Sequence, residues 1–266
     1  TGDTFEWFDN KDVPLKIAVE DDGKSFIKLT IKVRHKILAD GMDDNSYDTS
    51  NVGKHLTAAE WNKHMEDPET VVVDVRNHYE NEIGHFKGAI CAESDTFRED
   101  LPKIFDKLKG KEDSKVLLYC TGGIRCEKTS AFLRHEGFKD VNQLHGGIID
   151  YARQIEAENL ESKFIGKNFV FDERRGERIS DDVISSCHQC GEPCDDHTNC
   201  LYKDCNMLFI QCENCKKEHQ GCCSDECIDY YQLPTEEQNK IRKEREEQGL
   251  LEYKRSLRPK TRGIKK

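Results

Sequence analysis

Two kinds of periodicity alternate through the middle of the chain. VVVDV (71–75) and KVLLYC (115–120) are short, almost continuously apolar runs, the pattern of strands buried on both faces. GHFKGAI (84–90) leads into another short strand, and VNQL (141–144) reads as a fourth. Between them DTFREDLPKIFDKL (95–108) repeats apolar residues at 97, 101, 104, 105 and 108, a helical spacing. CEKTSAFLRHEGF (126–138) is a helix stopped by Gly137, and IIDYARQIEAEN is a last helix after a tight HGG turn. LTAAEWNKHMED opens the series, with Thr57 at the N-cap and Glu60 three residues on, a capping box. Strands alternating with helices predict an α/β domain over 57–157, a parallel sheet with helices on both faces.

The flanks read differently. LKIAVE and SFIKLTIKV are β-type runs around the turn DDGK, and two strands bury too little to stand alone. Residues 1–45 are therefore expected to be the end of a preceding domain, with a polar linker over 41–56. A connecting segment, 161–186, holds the strand-like FIGKNFVF and a charged turn. A cysteine-rich module over 187–227 and a charged tail over 228–266 follow.

Charge sharpens this division. The 266 residues carry a net −11, yet residues 239–266 hold eleven Lys/Arg against four Glu, a net +7, which leaves −18 on the rest. An acidic body argues against a generic nucleic-acid binder and leaves the tail as the basic element. No apolar run approaches the ~20 residues of a membrane span, and the acidic start TGDTFEWFDN has no apolar core of a secretory signal. The expected location is the cytoplasm, where disulfides are disfavoured. The thirteen cysteines thus call for another explanation.

Cys120 closes the strand KVLLYC and is followed by TGGIRCEK at the start of a helix. Gly122 and Gly123 let the loop curl so that the backbone amides of Thr121, Gly122, Gly123, Ile124 and Arg125 point inward. Such a nest at a helix N-terminus, with Arg125 adding a fixed positive charge, stabilises a thiolate. The thiolate is the nucleophile in cysteine chemistry. The plain alternative is a buried core thiol. The Cys-x4-Arg spacing makes a tighter loop than the Cys-x5-Arg of a phosphatase and suits a persulfide sulfur or a small planar target better than phosphate. Cys126 is either a second thiol of the site or helix packing. Asp74 and Arg76, just after VVV, are supporting residues or a structural ion pair.

Ten cysteines fall between Cys187 and Cys227, including two CxxC pairs. Thiolates at that spacing indicate tetrahedral zinc. The first grouping is Cys187, Cys190, Cys200 and Cys205, then Cys212, Cys215, Cys222 or Cys223, and Cys227; a cross-braced grouping is equally open. Metal-free thiols and an iron–sulfur cluster are the other readings. No flavin, haem or nicotinamide motif is seen.

VVVDVRNHYENEIGHFKGAI and LHGGIIDYA resemble the rhodanese signatures. Together with CTGGIRCEKTSAFL, KNFVFDERRGERIS and CHQCGEPCDDHTNC, they resemble the rhodanese-type tRNA uridine hydroxylases. The resemblance implies an oxygen-dependent enzyme that forms 5-hydroxyuridine at the wobble position, position 34, of tRNA. It makes Cys120 the catalytic, persulfide-bearing position, Arg125 and the amides of 121–125 its anion shell, O2 a co-substrate and the anticodon loop the target. It also implies a truncated ferredoxin-like domain at the N-terminus and an unidentified electron donor. Arg174, Arg175 and Arg178, with the tail, are expected to meet tRNA phosphates. A rhodanese-type sulfurtransferase carrying a cysteine persulfide is the alternative, and a non-catalytic zinc adaptor a third possibility.

Overall fold

The computed structural model describes residues 38–39, 41–42 and 46–249. Most of the N-terminal remnant expected over 1–45, and the tail beyond residue 249, lie outside the described residues.

The strands are β1 (Lys54–Leu56), β2 (Val71–Asp74), β3 (Gly84–Phe86), β4 (Ile90–Cys91), β5 (Lys115–Tyr119) and β6 (Asp140–Leu144). All but β3 form one parallel sheet in the order β1-β6-β5-β2-β4. The helices α1 (Ala58–Met65), α2 (His78–Ile83), α3 (Phe97–Leu108), α4 (Ile124–His135) and α5 (Gly147–Glu158) connect them. Side chains alternate across the pleat and so sort into two cores. Val71, Val73, Val116 and Leu118 meet Ile104 and Leu108 of α3 and Leu133 of α4. Val72, Leu117 and Tyr119 meet Trp61 of α1 and Ile148 and Tyr151 of α5. Every strand run in this sheet ends near the same edge, where loops gather in open α/β folds. Cys120 continues the parity of Val116 and Leu118, so its side chain belongs to the α3/α4 face.

The capping box at Thr57 is present, with Glu60 bonding back to the Thr57 amide. Two expectations change. Lys54–Leu56, assigned to the linker, forms strand β1, which among the described residues pairs only with β6. GHFKGAI yields two strands in different sheets, because Gly84–Phe86 turns away to pair antiparallel with β7 (Phe164–Asn168) while Ile90–Cys91 joins β2.

β7 also pairs with β8 (Glu177–Arg178), which makes a three-stranded antiparallel sheet. Beyond it come the hairpin β9 (His197–Asn199) and β10 (Leu208–Ile210) and the helices α6 (Glu213–Glu218), α7 (Asp225–Gln232) and α8 (Thr235–Glu247). Phe169, Cys187, Cys194, Ile210 and Cys215 pack with Ile83 at the end of α2 and seat this module against the first domain. The helix carrying Cys227 runs on to Gln232, past the boundary expected at 227, and α8 buries no residue.

Candidate active site and metal centres

The loop after β5 is held from behind by the turn at 145–147. The Ile148 amide donates to the Cys120 carbonyl at 3.0 Å and the Ile149 amide to the Thr121 carbonyl at 3.2 Å. Gly147 makes this possible: at φ +70° a Cβ there would lie 2.5 Å from the Cys120 carbonyl oxygen. Gly123, at φ +96°, is the N-cap of α4 and turns its amide onto the Cys120 sulfur at 3.1 Å. The thiol is only 1% exposed, at the floor of the loop. Burial pushes its pKa up, but the Cys126 thiol, the Arg125 charge and the Cys126 and Gly123 amides outweigh it and lower it to about 6. At pH 7 the sulfur is therefore mostly an anion. Cys126 is fully buried, and burial together with the Cys120 anion pushes its own pKa far up, so it remains a protonated donor. Cys126 also packs in the core beneath α4, so its burial fits the helix-packing alternative as well as that of a second thiol of the site.

Arg125 reaches the loop and a second partner. Its guanidinium forms a fork with the Glu80 carboxylate at 2.6 and 2.8 Å and also donates to the Thr121 hydroxyl at 3.2 Å. Glu80 is fully buried, accepts from Thr121 as well, and sits in the first turn of α2, where its carboxylate caps the Asn77 amide. The shell around Cys120 is thus amides, a thiol and a neutralised guanidinium, not a bare positive charge. Glu80 was not picked out from the sequence. Its signal is the Asn77-x-x-Glu80 capping box, hidden inside a six-residue helix.

Asp74 and Arg76 form the structural ion pair. Both side chains are fully buried, the carboxylate is gripped at 2.9 and 2.7 Å, and Arg76 donates onward to the Gly84 carbonyl at 2.6 Å. The Asn81 amide and the Tyr119 hydroxyl complete the Asp74 shell. Burial raises the Asp74 pKa, but Arg76 more than reverses it, so the group stays ionised. The pair ties β2 to the start of β3 and does not touch the Cys120 sulfur by any hydrogen bond among the described residues.

Eight cysteines fall into two groups whose sulfurs lie within 4.8 Å of one another: Cys187, Cys190, Cys212 and Cys215; and Cys200, Cys205, Cys223 and Cys227. First and third pairs share one group, second and fourth the other. This cross-braced order replaces the sequential grouping. Of Cys222 and Cys223 it is Cys223 that joins the group, and the Cys222 thiol instead points at the Cys227 carbonyl. Sulfur separations of 3.7 Å (Cys190–Cys212), 3.6 Å (Cys205–Cys223) and 3.7 Å (Cys223–Cys227) are close to the ~3.8 Å edge of a tetrahedron with ~2.3 Å metal–sulfur bonds. The Cys212 amide donates to the Cys187 sulfur and the Cys215 amide to the Cys212 sulfur, bonds that orient a thiolate ligand and spread its charge. The residues fit one ion per group. A multi-iron cluster needs a wider cage of sulfurs. His188 is engaged with Glu82 and His197 is buried against Phe169, so neither joins a group.

The expected phosphate-binding arginines divide. Arg174 is spent on Asp172 and Glu177, and Arg178 on Asp195 and the carbonyls of Ser180 and Asp182. These pairs stiffen the turn after β7 and hold both guanidiniums against acids of the chain. Arg175, at φ +55°, makes no side-chain hydrogen bond or ion pair among the described residues.

Two family models match the chain: a rhodanese-like domain over residues 57–154 and a rhodanase C-terminal model over 165–228. A protein of Leptospira interrogans named tRNA uridine(34) hydroxylase is 58% identical over 94% of this chain and 68% of its own length. One of the same name from Pectobacterium carotovorum is 57% identical over 88% of this chain and 66% of its own. The chain thus spans about two thirds of the length of these relatives. A rhodanese-like domain protein of Staphylococcus aureus overlays 37% of this chain and 90% of its own at 24% identity, with a TM-score of 0.31, too loosely to carry weight.

Proposed function

Because the chain belongs to the tRNA uridine(34) hydroxylase family, we propose that it hydroxylates C5 of the wobble uridine in tRNA, with Cys120 as the reacting residue and O2 as the oxygen source. The observation that carries this is the Cys120 sulfur, held as an anion by the Gly123 amide and the Cys126 thiol.

Uracil C5 is a weak nucleophile. Addition of the Cys120 thiolate at C6 breaks the C5–C6 double bond and leaves C5 enolate-like. That carbon takes one oxygen atom. Two electrons and two protons from a separate donor carry the other oxygen away as water. Loss of the C5 proton then restores the double bond and expels the thiolate. The Cys126 proton is placed to stabilise the sulfur before and after the cycle, and Arg125 keeps the loop in shape through Glu80. An unpaired anticodon base presents no duplex to open. Arg175 and the basic tail are the candidate phosphate contacts, and a tRNA substrate puts the enzyme in the cytoplasm.

In the same reading zinc occupies both cysteine groups. Its contribution would be folding free energy for a polar module with a small core.

Nucleoside mass spectrometry of tRNA from cells lacking the gene tests the reading. Loss of 5-hydroxyuridine and its derivatives supports it. Loss of thiolated bases instead would make the protein a sulfurtransferase, and no change in either would make it an adaptor.

A further inference from the structure

Phe171 is the most exposed large hydrophobic residue described, at 65%, although its neighbours Phe169 and Val170 are buried. It is not a loose side chain. Its ring stands edge-on to Phe169 at 5.3 Å, and Phe169 is in turn wedged against Tyr79 at 5.1 Å and His197 at 5.3 Å. The following turn is pinned by Arg174 through Asp172 and Glu177. On one side lies the Arg125 guanidinium, its central carbon 5.9 Å from the ring centroid. That same guanidinium bonds Thr121, the residue after Cys120. Ile124, half exposed at the start of α4, is the other apolar residue of this loop. A rigid aromatic ring is thus displayed at the rim of the thiolate loop, with Arg175 four residues on and without a side-chain hydrogen bond or ion pair among the described residues.

Exposed aromatic surface beside a guanidinium, with the half-buried Arg175 four residues on in the chain, fits a nucleotide better than an apolar partner: the ring stacks a base and a cation takes its phosphate. Resting on the function proposed above, we propose that Phe171 is the stacking platform for the unpaired RNA base next to the reacting uridine. It is a positioning residue. It holds the strand so that the target base enters over Cys120, and it takes no part in bond making.

The test uses the full chain and a synthetic anticodon stem-loop. Base stacking on an aromatic ring is worth on the order of 5- to 100-fold in affinity. Phe171→Ala and Phe171→Leu are expected to weaken stem-loop binding by that factor and to raise KM with little change in kcat, while Phe171→Tyr and Phe171→Trp retain both. The leucine variant keeps apolar cover over Arg125 but cannot stack a base. Fluorescence of Phe171→Trp, corrected for the native tryptophans, is expected to quench with the stem-loop and not with one abasic at the flanking position. Equal binding by the alanine, leucine and parent proteins would overturn the proposal. So would a Cys120 alkylation midpoint that rises in Phe171→Ala, since that would make the ring a prop for Arg125. Binding is read without turnover. Stem-loop binding by the parent and quenching in Phe171→Trp, with no 5-hydroxyuridine formed by the parent, would therefore defeat the hydroxylase reading and leave the platform standing.

Discussion

Replacing Cys126 by alanine removes one of the groups that favour a Cys120 thiolate. Apart from burial, which acts in the opposite direction, the Cys126 thiol is the foremost influence on a Cys120 pKa of about 6. A hydrogen bond to a charged group contributes ~1.5–3 kcal/mol. A thiol is a weak donor, so the low end applies, about one pKa unit at 1.36 kcal/mol each. The variant should therefore titrate near 7. At pH 6 the thiolate fraction would fall from about one half to about one tenth, a roughly fivefold slower alkylation, whereas at pH 9 the rates would converge. Trypsin makes the assay specific: cleavage after Lys115 and Arg125 releases VLLYCTGGIR, which contains Cys120 alone, and Cys126 leaves in the next peptide. Iodoacetamide rates for that peptide are followed by mass spectrometry from pH 4.5 to 9.5. Cys126→Ser, which keeps a donor, should hold the midpoint near 6. An unchanged midpoint in the alanine variant, or a parent midpoint near the ordinary ~8.5, would refute the reasoning.

Other consequences are independent of that bond. Glu80→Gln leaves the buried Arg125 short of its counter-charge and should cost about 2–4 kcal/mol in denaturant unfolding, without raising the Cys120 midpoint; an unchanged stability would contradict the buried pair. Asp100 is buried, and that burial, only partly offset by Ser94 and Arg125, raises its pKa to about 7. The folded state then binds its proton more tightly than the unfolded one, and this group's contribution falls as pH rises from about 4 to 7. Asp100→Asn should gain up to ~3 kcal/mol over the parent at pH 8 and little at pH 4; a gain independent of pH would rule this out. The purified protein should carry two zinc equivalents, one lost in Cys223→Ser and none in Cys222→Ser; two equivalents in Cys223→Ser, or one in Cys222→Ser, would contradict Cys223 as the ligand.

The parallel sheet was legible because its strands, buried on both faces, cannot hide their apolar runs: VVVDV and KVLLYC have no other use for so much β-branched and aliphatic surface. The loop at Cys120 was legible for a related reason. Two glycines and an arginine between a strand and a helix announce a curled loop, although of the five inward amides expected only that of Gly123 is bonded to the sulfur among the described residues. What the sequence does not display is pairing in space. Lys54–Leu56 has too few apolar residues to signal a strand and becomes one only because β6 offers a free edge. Glu80 looks like an ordinary surface acid until the fold brings Arg125 to it. The cysteine spacing announces metal but not partners, because the cross-brace depends on how β9 and β10 fold back. Arg174 and Arg178 carry the composition of a phosphate site, yet acids near them in the chain or in the module claim both.

The central claim is that the sulfur at residue 120 is the reacting atom in uridine hydroxylation. Exchanging it for oxygen tests this with least disturbance: Cys120→Ser is expressed in cells lacking the gene and compared with the parent by nucleoside mass spectrometry of total tRNA. The parent is expected to restore 5-hydroxyuridine derivatives and the serine variant to leave them absent at equal protein level and stability. Restoration by the serine variant would contradict the account.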